Sequence, residues 1–274
     1  MYPALSFLFG LLFGSFGNSL VHRLPRKLIE EYEQEAYEAL GQTPPSRDPA
    51  LRSSRSRCPH CKHQIAWYDN LPLVSWLLLK AKCRHCGASI ATRYFLLEAS
   101  GGVLGLLAYV SYGPTLTALV AFAAALLLLW LTAIDIEHLL LPDSLVFALM
   151  WLGLIASTQG LFISPEKAII GTVFGYGMPF VAAQAYSVLR KTEGMGMGDF
   201  KLLAALGSFA GPMGVVLVLM GSALLQVLVQ GSLIASARLQ KDSPFPFGPA
   251  LSLVGGLAVF GAPYFQRCLG IIGQ

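Results

Sequence analysis

Charge is what this sequence has least of. Only 12% of its 274 residues are Asp, Glu, Lys or Arg, where a soluble domain carries about 25%. Hydrophobic residues make up 55%, and the mean hydropathy is +0.61. That deficit, together with repeated apolar runs near the ~20 residues that cross a bilayer, excludes an ordinary soluble domain and indicates a polytopic membrane protein. A Rossmann-type glycine fingerprint is missing, so no nucleotide-cradling loop of that kind can be placed. A basic segment ahead of the first apolar run, Pro3 to Val21, is also missing, as is a small-x-small cleavage site behind it; Arg23 and Arg26 follow instead. The run is expected to be a retained helix with its N-terminus outside the cytoplasm, not a signal peptide. No internal repeat is visible.

The charge that is present is uneven. Residues 23–93 hold 12 of the 19 basic residues and seven of the 15 acids. A basic block can mark nucleic-acid binding. The interleaved acids and the flanking apolar helices favour a cytoplasmic loop obeying the positive-inside bias, with no nucleic-acid partner. Helix 1 is expected to stop at Leu24-Pro25, because proline and the residue before it disfavour a continuing helix. A short amphipathic helix is expected over 28–40, where Leu28, Tyr32 and Ala36 follow at i, i+4 spacing. Residues 41–57, rich in Pro, Ser and Arg, read as a linker.

Cysteine is also scarce, with five in the chain. Four of them form two knuckles, Cys58-Pro59-His60-Cys61 and Cys83-Arg84-His85-Cys86, 21 residues apart. Four thiolates so paired suit tetrahedral zinc. Disulfides are the alternative, disfavoured in a reducing cytosol. His60 and His85 are superfluous to a four-cysteine site. Cys268 stands alone in the last apolar segment and reads as an apolar filler.

The apolar segments after the loop are Tyr94 to Tyr112, Leu116 to Ile134, Ser144 to Ser157, Glu166 to Leu189, Phe200 to Ala210, Met213 to Ala237 and Phe247 to Leu269. With helix 1 they make eight. The expected fold is an all-α polytopic membrane protein of about eight transmembrane helices, with a small cytoplasmic zinc-ribbon-like domain between helices 1 and 2. The expected domains are 1–22, 23–92 and 93–274. Threading the chain with 23–93 inside puts 135–142, 190–199 and 238–246 inside as well. Arg190, Lys191, Arg238 and Lys241 then fall on the cytoplasmic side. Lys167 and Arg267 are exceptions, at helix ends where they can snorkel.

This threading brings two carboxylates to one membrane face. Asp135 continues the segment Leu116 to Ile134 without a break. Asp199 lies in Gly194-Met195-Gly196-Met197-Gly198-Asp199-Phe200-Lys201, 64 residues later. A carboxylate at a membrane boundary is costly unless it is paired or used. For each residue alone the bland reading is interfacial exposure. Together they form a pair that can hold one proton between them, with one partner as general base and the other as general acid. The glycines suit a loop that must approach a substrate backbone or adopt positive φ. The same stretch fails the spacing of a phosphate loop. Asp143 reads as a helix N-cap, and Glu137 and His138 as solvated turn residues.

Gly196-Met197-Gly198-Asp199-Phe200-Lys201 resembles the Gly-x-Gly-Asp signature of intramembrane aspartyl proteases. Ile134-Asp135-Ile136-Glu137-His138-Leu139-Leu140-Leu141-Pro142-Asp143 is similar to the first-aspartate segment of type IV prepilin peptidases. The N-terminal Phe13-Gly14-Ser15-Phe16-Gly17-Asn18, the Arg23-Leu24-Pro25 step, the cysteine knuckles, Trp67-Tyr68-Asp69-Asn70-Leu71-Pro72, and Arg93-Tyr94 with Glu98 also resemble that family. The resemblance implies a two-step enzyme of the bacterial inner membrane. It would cut the leaders of type IV prepilins and type II secretion pseudopilins after glycine, on the cytoplasmic side. It would then methylate the new N-terminal amine with S-adenosylmethionine. Asp135 and Asp199 would carry proteolysis, with Gly196, Gly198 and Lys201 positioning substrate. Methyl transfer is associated with the cysteine domain, where the family often has Gly-Lys before the third cysteine; here Ala81-Lys82 stands, so Lys82 is kept. Membrane lipid is the remaining partner. Two other readings compete: a membrane protease whose zinc domain is purely structural, and a cation transporter using Asp135 and Asp199 as ligands. A transporter should set its carboxylates near the bilayer midplane, whereas these map to one face.

Overall fold

A computed structural model describes residues 3–44, 56–190, 195–240 and 243–272, with the backbone alone for residue 190 and residues 262–272. Gly194, Lys191, Lys241, most of the 41–57 linker and the side chains of Arg190, Arg267 and Cys268 lie outside this description. Among the described residues the regular elements are all helical. Five helices are long and apolar enough to cross a membrane, and two more are apolar but shorter. The chain divides into two compact units, 1–106 and 107–274.

In the first unit, α1 runs from Pro3 to Ala39 without stopping at Pro25. This corrects the expected end at Leu24. Proline inside a helix forfeits one backbone hydrogen bond, at about 3 kcal/mol. Here Pro25 and Val21, the residue whose carbonyl loses its donor, are both fully buried, and that packing holds the helix together. The expected 28–40 helix is therefore the last part of α1, and its Tyr32 is exposed. A 3-10 turn, Trp67–Asn70, and the short α2, Val74–Leu78, lead to α3, Thr92–Tyr112.

Helices α1 and α3 touch through glycine. A Cβ on Gly10 would lie 2.2 Å from the Gly101 carbonyl oxygen, and one on Gly105 would lie 2.3 Å from that of Ser6. Gly10-x-x-x-Gly14 thus faces Gly101-x-x-x-Gly105. In a bilayer such backbone contact replaces the hydrophobic drive that lipid cannot supply.

The second unit contains α4 (Leu116–His138), α5 (Asp143–Thr158), α6 (Pro165–Arg190), α7 (Met197–Ala235) and α8 (Gly248–Ile272). The Thr115 hydroxyl accepts the Ala118 N–H at 3.3 Å and opens α4. Leu139, at φ 51°, closes it in the left-handed conformation. Helix α7 packs on α5, α6 and α8, while α4 packs on α5 and α8. Leu131 and Ile134 of α4, Leu149 of α5, Leu202, Leu203 and Leu206 of α7 and Leu251 of α8 are fully buried. A second glycine seam joins α6 to α7, where a Cβ on Gly171 would meet the Gly207 carbonyl oxygen at 2.3 Å.

The segments expected at 200–210 and 213–237 are the two halves of α7, parted at Gly211. Its φ of 71° and ψ of −177° are non-helical. An L-residue would resist that backbone, and Pro212 supplies no N–H to mend the ladder. The sequence placed this break correctly: Leu206 before it and Gly221 after it both lie against residues 254 and 255 of α8, so the chain doubles back there.

Candidate active site

Four chain segments meet at one end of the second unit. The C-terminal turn of α4 carries Asp135, which is only 5% exposed. The left-handed Leu139 donates its N–H to the Asp135 carbonyl at 2.9 Å, which turns the chain sharply into Leu140-Leu141-Pro142. Leu141 then lies between two glycines. A Cβ on Gly198 would meet Leu141 Cβ at 3.1 Å, and one on Gly248 would meet Leu141 Cδ2 at 3.2 Å. The starts of α7 and α8 therefore press on the turn that follows Asp135.

Asp199 occupies the first turn of α7 and is half-buried. Its carboxylate takes a hydrogen bond from the Gly196 backbone, and it lies close enough to Asp135 for the two charges to repel. The structure thus brings together the two carboxylates singled out by sequence. Gly196, at φ −68°, does not use glycine's positive φ, which corrects that part of the expectation. Gly198 does need to be small, because Leu141 leaves no ordinary room for a side chain.

One further residue differs from expectation. Asp143 does not cap α5. Pro142, in extended conformation, is the N-cap, and its carbonyl accepts the Leu145 and Val146 N–H groups. Asp143 is instead gripped by Lys201, whose Nζ lies 2.8 and 2.7 Å from Oδ1 and Oδ2. This ion pair ties α7 to α5 and holds Lys201, expected in the substrate-positioning loop, beside Asp143.

Sequence reasoning missed Gly248. Its backbone N–H donates to Asp135 Oδ2 at 2.9 Å. The available signal was Pro246-Phe247-Gly248-Pro249, a glycine between prolines at the start of an apolar run, which alone says only that a helix begins.

In the first unit the four cysteines also converge. The Sγ atoms of Cys58, Cys61, Cys83 and Cys86 all lie within 4.8 Å of one another, and Cys58 and Cys86 are 3.8 Å apart. All four are free thiols. A tetrahedral ion with metal–sulfur bonds of about 2.3 Å needs sulfur–sulfur edges of roughly 3.8 Å, so the donor set fits a metal ion. Both knuckles use the same turn. Cys58 N–H donates to His63 O and Lys62 N–H returns to Cys58 O; Cys83 N–H donates to Ala88 O and Gly87 N–H returns to Cys83 O. Lys62 and Gly87 take the positive φ that the turn requires. Backbone N–H groups of Cys86 and then His85 pull the Cys83 thiol down to about 7, whereas burial and the neighbouring thiols push Cys86 up to about 11, so within the cluster Cys83 ionises first.

Lys82 pairs with Ser89 in an isolated bridge. Ala81 before it has φ 56°, a left-handed conformation that suits glycine. The Arg84 guanidinium, 2.6 Å from Asp69, holds that carboxyl below its ordinary range. Glu98 of α3 accepts the Leu73 N–H at 2.8 Å and reaches Asn18 of α1 at 3.4 Å. This carboxylate, on a helix long enough to span, fastens the 71–73 loop to the helix pair.

The model for the bacterial peptidase A24 N-terminal domain matches residues 8–112, and that for the type IV leader peptidase family matches residues 122–231. The chain belongs to the type IV leader peptidase family. Among relatives of this leader peptidase, a prepilin leader peptidase/N-methyltransferase of Stutzerimonas stutzeri is 40% identical over 91% of the chain and 87% of its own length. One of Aeromonas hydrophila is 38% identical over 97% and 93%. One of Pseudomonas aeruginosa is 40% identical over 95% and 90%. No solved structure matches the chain.

Proposed function

We propose that this protein cleaves the leaders of type IV prepilins and type II secretion pseudopilins after glycine, and then methylates the exposed N-terminal amine with S-adenosylmethionine. The observation that carries the reading is the meeting of Asp135 and Asp199 at one end of the helical unit, in a chain aligned with named prepilin leader peptidase/N-methyltransferases over nearly its whole length.

The chemistry follows from two carboxylates sharing one proton. The ionised partner takes a proton from water as the water oxygen attacks the scissile carbonyl. The protonated partner hydrogen-bonds the carbonyl oxygen. As the C–N bond breaks, a carboxyl group supplies the proton to the leaving amine, giving a new carboxylate and a free N-terminus. S-adenosylmethionine would supply the methyl group: the neutral amine would attack its methyl carbon, the C–S bond would break with the thioether leaving, and the nitrogen would release a proton to solvent. Methyl transfer is assigned to the cysteine module, with Lys82 beside its third cysteine. Gly196 and Gly198 shape the loop that meets the substrate backbone, and Lys201 steadies that loop through Asp143.

The four cysteines are assigned to structural zinc, which would fix the two knuckles against each other. Counting α5, α8 and the two halves of α7 gives eight spans. The domains are then helix 1 at 1–22, the cysteine module at 23–92 and the peptidase at 93–274. The membrane is the bacterial inner membrane, with the aspartates at its cytoplasmic face, where the basic 23–93 loop also belongs under the positive-inside bias.

The test is direct. The purified protein is incubated with a prepilin and isotope-labelled S-adenosylmethionine, and the product is sequenced by mass spectrometry. The expected product is cut after glycine and carries one labelled methyl on its new N-terminal nitrogen. An intact leader refutes the peptidase reading. A cut but unlabelled product refutes the methyl-transfer reading and leaves a protease with a structural metal domain.

A further inference from the structure

The first turn of α8 has one backbone donor to spare. Pro249 has no N–H, and the N–H groups of Ala250 and Leu251 are both satisfied by the Phe247 carbonyl, at 3.1 and 3.2 Å. Helix starts leave such donors orphaned unless something outside the helix accepts them. At α8 the remaining donor is the buried Gly248 N–H, and its acceptor is Asp135 Oδ2 at 2.9 Å, across 113 residues of chain.

This donor is itself held firmly. On one side of Gly248, Gln226 of α7 donates its side-chain N–H to the Pro246 carbonyl at 3.2 Å. On the other, the buried Ser222 of α7 donates its hydroxyl to the Ala250 carbonyl at 3.2 Å. Pro246 and Pro249 further stiffen the turn by fixing φ. There is also no space for any residue but glycine. A Cβ at 248 would lie 2.6 Å from Asp135 Oδ2 and 3.1 Å from its Cγ. Flexible side chains can yield to such an approach, but this side chain is the carboxylate itself.

We infer that the Pro246-Phe247-Gly248-Pro249 turn positions Asp135: the Gly248 amide fixes the orientation of its carboxylate, and α7, which carries Asp199, holds the turn in place through Gln226 and Ser222. The inference rests on the reading of Asp135 as a catalytic group. Gly248 touches no substrate in this scheme and acts through Asp135. The helix N-terminus also offers Asp135 a favourable local field when it is ionised.

The test uses the full-length protein, a prepilin, and separate measurement of kcat and KM for cleavage. Methyl transfer to pre-cleaved pilin serves as the control for folding. In Gly248→Ala the carboxylate must swing away from its place, and a misplacement near 1 Å costs on the order of 100-fold in rate. The expected result is a fall in kcat of that order with KM within about twofold. If this variant does not fold, a backbone ester at 248, introduced by cell-free synthesis with glycolic acid, removes the N–H and adds no atom. It is expected to lower kcat about tenfold or more, as loss of a hydrogen bond to a charged group does, with methyl transfer unchanged. An ester protein with normal kcat overturns the inference. So does a rise in KM without a fall in kcat, which would place the turn in substrate binding. Asp135→Asn, run in parallel, separates the two levels. If it still cleaves, the catalytic reading of Asp135 fails. If it is inert while the ester protein is normal, only the positioning role fails.

Discussion

Replacing Ala81 with glycine should make the cysteine module more stable. Ala81 sits at φ 56°, directly before Lys82 and Cys83, with its N–H bound to the Trp76 carbonyl at 2.9 Å. The left-handed conformation costs an L-residue about 1–2 kcal/mol, because Cβ crowds the carbonyl oxygen. Glycine escapes that cost but gives back about 0.4–1 kcal/mol through its freer unfolded chain. The net gain for Ala81→Gly is about 0.5–1 kcal/mol, or roughly a two- to fivefold change in an equilibrium constant. The Trp76 hydrogen bond is retained, since only a methyl group is lost. A zinc-competition titration of the full-length protein against a chelator reads this directly, because metal retention and module folding are one equilibrium. Ala81→Gly should need about two- to fivefold more chelator at half-release, while Ala81→Val should release metal more easily. Equal or easier release from Ala81→Gly would refute the strain argument.

The other predictions concern three contacts. Metal analysis should find about one zinc per chain, and Cys58→Ser or Cys83→Ser should lose it; a metal-free but folded and active protein would contradict the assignment. Lys201→Met, Asp143→Asn and their double variant should show a stability coupling of no more than about 1 kcal/mol, since the pair is partly exposed. The double variant should be no less active than the worse single one; a much larger fall in activity for Lys201→Met alone would contradict a role exerted through Asp143. Glu98→Ala should speed amide hydrogen exchange at Leu73 about tenfold or more, through loss of a bond to a carboxylate, and leave exchange within the second unit unchanged.

The sequence disclosed those parts of the site whose chemistry is local. Two cysteines three apart can share a metal only in a tight turn, so each knuckle was readable from spacing. Asp135 and Asp199 stood out because a carboxylate joined to a long apolar run must be accounted for. Gly211-Pro212 announced a break, and the chain doubles back at it. What stayed hidden depends on partners far away in the chain. Pro25 obeys a local rule against continuing a helix, and burial overrides it. Asp143 has the position of a cap, and only the folded unit brings Lys201, 58 residues on, to take it. Gly248 acts through a backbone N–H, which no side-chain pattern can reveal. The paired Gly10-x-x-x-Gly14 and Gly101-x-x-x-Gly105 seams are the exception: their spacing was present in the sequence and could have indicated that α1 and α3 pack together.

The central claim is that Asp135 and Asp199 act as one catalytic pair. It is tested most directly by measuring prepilin cleavage by Asp135→Asn and Asp199→Asn beside methyl transfer to pre-cleaved pilin by the same preparations. Loss of a general acid or base removes about 100- to 10,000-fold in rate. Each variant should therefore fail to cut while still methylating. Normal trimming of a prepilin by Asp199→Asn would contradict the account.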